Sequence, residues 1–257
     1  EAAGVDVHYE TTARGLLLDE GGKTMGVRAT AQDNQQINFK ASSVILECGG
    51  FEGNPEMLAR YIGPAASYLR PVARGGYYNR GEGVRMALEA GAAPCGDYGL
   101  FHAAPLDPRS GAPEPILLIF NYGILVNRLG HRFVDEAPAT VDATYESITR
   151  QVFEQPGSVA YIIFDSSIDD VPGWQRAVRS DVPPVTAETL EDLASQIDVP
   201  IEQLSATVSE FNAACPSPDN FKPLETDGLA TAPGLSPRKS NWSRPIHRPP
   251  YKAYPLM

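Results

Sequence analysis

A short apolar run followed by paired glycines limits how the first part of this chain can fold. Residues 44–46 read Val-Ile-Leu and precede Gly49-Gly50, and an unbroken apolar run is typical of a strand that is buried on both faces. Asn54-Pro55-Glu56 comes next and predicts a helix that begins with an asparagine cap, a proline and an acidic first turn. Because glycine has no Cβ, a phosphate or a sugar can approach the main chain of the loop between them.

A second glycine segment precedes a second predicted helix. Residues 79–83 read Asn-Arg-Gly-Glu-Gly, and the apolar side chains that follow recur on one face of a helix. Glu82 offers an acceptor for the hydroxyl or imide groups of a ligand. An ordinary turn or helix cap also explains each glycine segment, so neither segment establishes a binding site by itself.

The remaining pattern predicts an α+β fold class. Alternating apolar residues in the first 41 positions indicate a small β-meander. Beyond residue 103 we expect a strand pair around residues 124–126 and 161–164, and two amphipathic helices near 189–197 and 201–211. Residues 216–255 are rich in proline and are predicted to be loop-like. The expected architecture is therefore a β-meander, a buried strand and helices, followed by a separate α+β unit.

Composition and charge exclude several classes of function. The 257 residues include 21 Lys and Arg against 32 Asp and Glu, a net charge of −11, without the basic run that a nucleic-acid groove needs. No apolar run approaches the roughly 18 residues of a membrane-spanning helix. Cys48, Cys95 and Cys215 are an odd number at wide spacing, which fits neither a disulfide framework nor a metal pair. We expect a cytoplasmic protein with no nucleic-acid partner, no transmembrane segment and no metal site.

A third segment makes the pattern specific. Residues 123–136 read G-I-L-V-N-R-L-G-H-R-F-V-D-E, and with the two glycine segments they resemble the fumarate reductase/succinate dehydrogenase flavoprotein family. The resemblance implies FAD as the cofactor. In that family the arginine of the R-F pair transfers a proton and a histidine binds a substrate carboxylate, which implies catalytic roles for Arg132 and His102. The implied cofactor contacts are Ala13, Cys48, Gly49, Gly50, Phe51, Asn79, Gly81, Glu82 and Gly83.

Further matches indicate one group within that family. Four segments look most like FAD-dependent tricarballylate dehydrogenases, namely residues 49–57, 211–215, 227–231 and 239–245. The resemblance implies oxidation of tricarballylate to cis-aconitate, with a small tricarboxylate or dicarboxylate as substrate and an unidentified electron acceptor. It also implies a partial FAD-binding domain at 1–102, a substrate-capping domain at 103–246 and the start of a return to the FAD-binding domain at 247–257. The chain would then be the central part of an enzyme and inactive alone.

Departures from the family pattern leave alternatives open. Arg80 stands where threonine is usual and Glu82 where aspartate is usual, and an apolar stretch at 115–118 replaces the Thr-Glu pair of fumarate reductases. The alternatives are a 3-ketosteroid dehydrogenase-like or fumarate reductase-like flavoprotein, or a non-catalytic fragment without the pyrophosphate site. An anionic substrate needs a local positive site on a chain of negative net charge. Arg132, Arg74 and Arg80 are the candidates for it.

Overall fold

The computed structural model describes residues 4–257, which divide into two compact units. The first unit contains residues 4–66 and 75–100, and the second contains residues 67–74 and 101–257. The division at 100/101 lies two residues before the predicted boundary at 102/103. Residues 247–257 group with the second unit, and their return to the FAD-binding domain stays a prediction.

An antiparallel meander forms the sheet of the first unit. Strands β1 (Thr12–Leu18), β2 (Thr24–Thr30) and β3 (Gln36–Lys40) lie in the order β1-β2-β3. The register between β1 and β2 shifts between Ala13 and Gly15, which is a β-bulge. The predicted meander is therefore confirmed, although residues 5–9, which also alternate, lie outside its strands.

Two short helices follow the glycine segments as predicted. Helix α1 (Pro55–Tyr61) is capped by the Asn54 side chain, which accepts hydrogen bonds from the main-chain N–H groups of Glu56 and Met57. Helix α2 (Glu82–Glu89) follows Gly81, whose φ of 80° lies in the left-handed region that glycine adopts without strain. Local sequence signals thus fix the start of both helices.

The apolar residues 44–46 do not form the predicted buried strand. No strand is assigned to them, and Ile45 is 82% exposed. A strand buried on both faces needs neighbouring strands to pair with its main chain and layers to cover both sides. Within residues 4–257 the first unit has only the meander as a sheet, and the meander does not include this segment.

The second unit is built on a four-stranded antiparallel sheet. Its strands are β4 (Ile124–Asn127), β5 (Ala160–Phe164), β6 (Val185–Ala187) and β7 (Tyr251–Leu256), in the order β4-β5-β7-β6. The predicted pairing of the segments now called β4 and β5 is confirmed. Strand β7 is an inner strand that bonds to both β5 and β6. The prediction that residues 216–255 are loop-like throughout is therefore wrong at their C-terminal end.

Helices cover both faces of this sheet. Helix α3 (Val141–Phe153) contributes Ile148 and Val152 to a core on one face, which also contains Ile162. Helices α4 (Leu190–Gln196) and α5 (Ile201–Ala214) pack on the opposite face, where Ile163 is buried. Adjacent residues of one strand thus point into two different cores. The predicted α4 and α5 are confirmed, α3 was not predicted, and the fold class is α+β as expected.

The remaining regular segments are short 3₁₀ turns. They are Pro64–Tyr68, Arg74–Tyr78, Phe120–Tyr122, Pro156–Ser158, Ser166–Asp170, Trp174–Ala177 and Pro218–Asn220. Of the helices described between residues 4 and 257, none combines the length and apolarity needed to cross a membrane.

Candidate functional site

The two glycine segments meet in the first unit. We call residues 48–53 and 79–83 the glycine loops. The Gly81 main-chain N–H donates to the Gly50 carbonyl at 3.0 Å, and the Gly53 N–H donates to the Asn79 carbonyl at 2.8 Å. Two segments that are about 30 residues apart in the sequence therefore form one main-chain structure, as a shared ligand site requires.

The absence of a Cβ makes this contact close. Gly49 has a φ of 71°, and a Cβ on it would lie 2.9 Å from the Asn79 side chain. A Cβ on Gly81 would lie 2.4 Å from Met57 Sδ, and one on Gly83 would lie 3.1 Å from Cys48 Sγ. Close packing between the loops thus accounts for these three glycines without a ligand.

The polar side chains of the glycine loops are partly engaged within the loops. Asn79 Nδ2 donates to Glu52 Oε1 at 2.6 Å, and Asn54 Nδ2 donates to the Arg80 carbonyl at 2.8 Å. Glu82 Oε2 accepts from the Arg80 main-chain N–H at 3.1 Å. These bonds hold Glu82 at the start of α2, where its charge is favourable to the helix dipole.

The loop surface fits a ligand that approaches the main chain. Cys48, Gly49 and Gly50 are all exposed, so their peptide groups are accessible from solvent. Phe51 is half-buried, and its ring centroid lies 5.5 Å from that of Tyr61 at the end of α1. This ring contact holds the loop against the helix. The predicted cofactor residues of both loops therefore lie together.

Ala13 lies on the strand beside helix α2. It pairs with Ala29 in the meander and is half-buried. The guanidinium of Arg85, on α2, donates to the Arg14 carbonyl at 3.4 Å, so the β-bulge of β1 faces the helix that the second glycine loop begins. Its predicted contact with adenine stays a prediction.

In the second unit, His102 is exposed and paired with a residue that the sequence did not single out. Its Nε2 lies 2.8 Å from the Tyr145 hydroxyl, and the two rings meet edge to face at 5.6 Å between centroids. Tyr145 lies on α3, the helix that was not predicted. The spacing of Val141, Tyr145, Ile148 and Val152 has the helical period and could have revealed it.

Arg132 forms a buried ion pair. Its Nε donates to Glu136 Oε1 at 2.9 Å and its Nη2 to Glu136 Oε2 at 2.7 Å, a bidentate arrangement. Its Nη1 donates to the Pro237 carbonyl at 2.7 Å, and the guanidinium lies over the Phe211 ring. The two side chains are 4% and 0% exposed. All three guanidinium nitrogens are thus engaged by protein acceptors.

A buried lysine completes this arrangement. Lys239 is fully buried, its Nζ donates to the Gly123 carbonyl, and it lies 5.8 Å from the centroid of the Phe211 ring. Burial lowers the pKa of Lys239 to about 8, against the opposing attraction of Glu136. We call Arg132, Glu136 and Lys239 the ion cluster.

The cluster was not foreseen as such. Lys239 begins the segment 239–245 that resembles the family, and no local pattern in the sequence indicates that it is buried. The neighbouring thiol of Cys215 is partly buried, and burial raises its pKa to about 12, so it is unsuited to act as a nucleophile.

The other predicted cations are on the surface. Arg74 and Arg80 are exposed, and Arg74 Nη2 lies 3.4 Å from the Gly111 carbonyl. Asp165 is buried and accepts hydrogen bonds from the main-chain N–H groups of His247 and Arg248, both at 2.7 Å. Its carboxylate holds the chain that leads into β7.

Comparison with known proteins places this chain in a family. Residues 1–237 match the family described as FAD binding domain. NADH:acrylate oxidoreductase of Vibrio harveyi is 28% identical over 219 residues, which cover 79% of this chain and 20% of that protein. 3-Oxosteroid 1-dehydrogenase of Mycobacterium tuberculosis is 32% identical over 238 residues, which cover 83% of this chain and 41% of that protein.

A solved structure agrees with the match. The open conformation of a flavocytochrome c3 fumarate reductase superposes with a TM-score of 0.69 at 21% identity, over 100% of this chain and 42% of that one. This likeness shows the fold. The chain spans less than half the length of each of these three proteins. It belongs to the FAD binding domain family, is like the fumarate reductase flavoproteins, and has FAD as its cofactor.

Proposed function

We propose that this chain is the central part of an FAD-dependent dehydrogenase that oxidises a carbon–carbon single bond beside a carboxylate. The proposed substrate is tricarballylate, with cis-aconitate as the product and a separate electron acceptor that reoxidises the flavin. The observation that carries the proposal is the closure of the two glycine loops into one accessible main-chain surface. This surface lies in a chain whose match to the FAD binding domain family covers residues 1–237.

The residues that would hold FAD are those of the glycine loops. The exposed peptide groups of Cys48, Gly49 and Gly50 can approach it without steric hindrance, and the carboxylate of Glu82 can accept hydrogen bonds from it. When bound, FAD supplies the hydride acceptor. The protein's own task is then to bind the substrate carboxylates, exclude water and move the proton that leaves the neighbouring carbon.

The choice of a carboxylate rests on the resemblance and on one relative. The acrylate named for the Vibrio harveyi relative is a small carboxylate, and His102 is exposed and able to hydrogen-bond an anion. A second candidate is a 3-oxosteroid, favoured by the 32% identity to the Mycobacterium tuberculosis enzyme. A steroid needs a large apolar slot, whereas a tricarboxylate needs cations and hydrogen-bond donors.

Purified full-length enzyme distinguishes the two candidates. We expect tricarballylate to bleach the flavin absorbance under anaerobic conditions and to yield cis-aconitate. Bleaching by a 3-oxosteroid, without any response to tri- or dicarboxylates, would establish the second candidate instead.

Gly81→Ala tests the cofactor site, because a Cβ there would lie 2.4 Å from Met57 Sδ, and it should lower flavin retention. The matched control is Gly91→Ala, where a Cβ would meet no atom within 4 Å.

Proton transfer by Arg132 remains a prediction from the resemblance. A guanidinium can exchange a proton with substrate only if one of its nitrogens faces it, and the observed acceptors are Glu136, Pro237 and Val134. Arg132→Lys keeps the charge and removes the bidentate geometry. If flavin reduction by the folded variant stays within about threefold of wild type, or about 0.65 kcal/mol of barrier, Arg132 is not the proton-transfer residue.

A further inference from the structure

Lys239 is a fully buried cation that donates to a main-chain carbonyl. Its side chain comes from the segment between α5 and β7, and its Nζ donates to the oxygen of Gly123, an uncharged acceptor. Lysine is almost never fully buried unless its charge is paired, because removing an ammonium group from water is costly. The packing of the second unit would be served as well by an apolar side chain, so the charge itself calls for an explanation.

Arg132 and Lys239 lie at the same aromatic ring and at the same anion. Arg132 Cζ is 5.2 Å and Lys239 Nζ is 5.8 Å from the centroid of the Phe211 ring. Glu136 pairs with Arg132 through both carboxylate oxygens, and its charge also attracts Lys239. The ion cluster therefore contains two cations and one carboxylate. Repulsion between the two cations favours the loss of one proton from the cluster.

Two further groups face Lys239. The Asp135 carboxylate attracts it, and accepts hydrogen bonds from the main-chain N–H and the hydroxyl of Ser240 at 3.1 Å and 2.5 Å. Burial raises the pKa of the Cys215 thiol to about 12, so this group stays protonated near neutral pH. Burial lowers the pKa of Lys239 to about 8, and the charge of Arg132 acts in the same direction. Lys239 is thus the group that loses a proton in mildly alkaline solution.

One hydrogen of Arg132 remains available to a substrate. A guanidinium has five N–H groups, and four of them donate to Glu136, Val134 and Pro237. The fifth is on Nη1, whose other hydrogen donates to the Pro237 carbonyl at 2.7 Å, and it has no acceptor within residues 4–257. Nη1 is therefore the nitrogen that can exchange a proton while the pair with Glu136 stays intact.

We propose that Lys239 is a positioning residue that enables Arg132 to act as the base of the dehydrogenation, because the two buried cations share one proton after the cluster has lost the other. The inference rests on the proposed function. The cluster then has two forms, one with neutral Lys239 and one with neutral Arg132 beside charged Lys239. Only the second form accepts a proton at Nη1. The two forms contain the same number of protons, so their ratio does not depend on pH.

The proposed step balances between substrate, cluster and solvent. Nη1 of neutral Arg132 takes the proton from the substrate carbon beside the carboxylate. The electron pair of the broken C–H bond forms the new C=C bond, and the hydride on the adjacent carbon passes to oxidised FAD. Arg132 and Lys239 are then both cations, and their repulsion returns one proton to water.

The first test is the pH profile of the full-length wild-type enzyme. The rate of anaerobic flavin reduction is measured at saturating tricarballylate, or at saturating 3-oxosteroid if only that substrate reacts, between about pH 6.5 and 9.5. We expect the rate to rise with pH up to about 8, where Lys239 loses its proton. Above that value the rate should level off, since the ratio of the two forms is constant.

Lys239→Met removes the second cation and leaves Arg132 paired with Glu136. The variant should be slower than wild type by about tenfold or more at pH 7, because a nearby like charge shifts a proton equilibrium by about one unit or more. Its rate should continue to rise by about tenfold per pH unit above pH 8, so its deficit shrinks there. A merely structural role would give a deficit that is the same at every pH.

Two further variants complete the comparison. Lys252→Met is the matched control, since Lys252 Nζ also lies 5.8 Å from the centroid of an aromatic ring, that of Trp174, and it should follow the wild-type profile. Lys239→Arg keeps a cation that does not lose its proton. It should match wild type within about threefold at pH 7, or about 0.65 kcal/mol of barrier, and continue to rise above pH 8.

The outcomes separate this inference from the proposed function. A wild-type enzyme that is reduced by neither carboxylates nor 3-oxosteroids overturns the proposed function, and the role of Lys239 with it. A wild-type enzyme that is reduced but whose rate does not level off overturns the role of Lys239 alone, as does a deficit of Lys239→Met that is constant with pH. A deficit that shrinks above pH 8, with Lys252→Met unchanged, supports the role.

Discussion

The glycine loops of the first unit and the ion cluster of the second are held together by different kinds of contact. The loops meet through main-chain hydrogen bonds, and they can approach because Gly49, Gly81 and Gly83 have no Cβ. The cluster meets through charged side chains that are almost fully removed from water, with Arg132 at 4% and Glu136 at 0% exposure.

The two kinds of contact should respond differently to the loss of a side chain. A glycine contact depends on the space that a Cβ would fill and, at Gly49 and Gly81, on a left-handed backbone conformation. That conformation costs a residue with a Cβ about 1–2 kcal/mol. A buried ion pair carries a large desolvation cost for each charge, which is offset only while all partners are present. The ion cluster should therefore be the more sensitive of the two to the loss of one side chain.

Removal of the single anion of the cluster should have the largest effect. Glu136→Gln keeps the shape but leaves the buried cations Arg132 and Lys239 without a countercharge, and we expect the free energy of unfolding to fall by about 3–5 kcal/mol. Urea unfolding measures it. The control is Glu89→Gln in the surface pair with Arg85, where both side chains are more than half exposed and the loss should be about 1 kcal/mol or less. Equal losses in the two variants would contradict the comparison.

The pH dependence of stability should reveal Lys239. Its pKa falls from 10.5 to about 8 on burial, so between these values the unfolded chain binds more protons than the folded chain. The contribution of Lys239 to the free energy of unfolding therefore rises with pH across this window, by at most about 3 kcal/mol.

The measurement is the difference between wild type and Lys239→Met at several pH values from about 7.5 to 10.5. Burial raises the pKa of Tyr122, Tyr254 and Cys215, and these acids act in the opposite direction, since the unfolded chain loses their protons first. The two tyrosines are common to both proteins and cancel in the difference, whereas Cys215 interacts with the charge of Lys239 and cancels only in part. A difference that does not change with pH would show that the pKa of Lys239 is the same in the folded and the unfolded chain.

Substitution in the glycine loops should have a smaller effect on stability. Gly81→Ala places a Cβ against Met57 at a φ of 80°, and we expect a loss of about 2–3 kcal/mol from the left-handed conformation and overpacking together. Gly91→Ala, at a φ of 90° with free space around it, should cost only the conformational part, about 1–2 kcal/mol. Thermal or urea unfolding of both variants separates the conformational cost from the steric cost. Equal losses of stability in the two variants would show that Met57 causes no steric cost.

The smallest effect should come from the apolar run beside the first glycine loop. Ile45→Ala in this chain removes a side chain that is 82% exposed, and we expect a change below about 0.5 kcal/mol. Ile162→Ala, at a fully buried position of β5, should instead lose about 2–5 kcal/mol. A large loss at Ile45 would indicate that it is buried in solution.

These two apolar runs also show why a sequence pattern alone is ambiguous. Residues 44–46 and 124–126 are both uninterrupted apolar triplets, and both were predicted to form strands, the first of them buried on two faces. Residues 124–126 are fully buried in β4, since α3 covers one face of that sheet and α4 and α5 the other. Residues 44–46 have no such cover within the described chain. An apolar pattern indicates that a segment needs cover on both faces. Whether neighbouring elements provide that cover is visible only in the tertiary structure.

The elements that sequence reasoning missed have identifiable reasons. Helix α3 follows Thr140, whose side chain makes no cap bond, and it contains several β-branched residues, which weakens the local signal. Strand β7 contains Pro255, and proline argues against an inner strand because it cannot donate to the ladder. The hydrogen bonds that β7 forms with β5 and β6 outweigh the one donor that is missing at Pro255. Tyr145 was missed with α3, so the partner of His102 could not be foreseen.

The residue pattern was enough to predict the glycine loops, the starts of α1 and α2, the strand pair β4–β5 and the FAD-binding family. These features depend on residues that are close along the chain or on motifs with fixed spacing. The packed fold was needed to reveal that Lys239 is buried beside Arg132, that β7 is an inner strand and that His102 meets Tyr145. Each of these joins segments tens to more than a hundred residues apart. Burial and long-range pairing depend on how whole elements pack, and no local pattern encodes that packing.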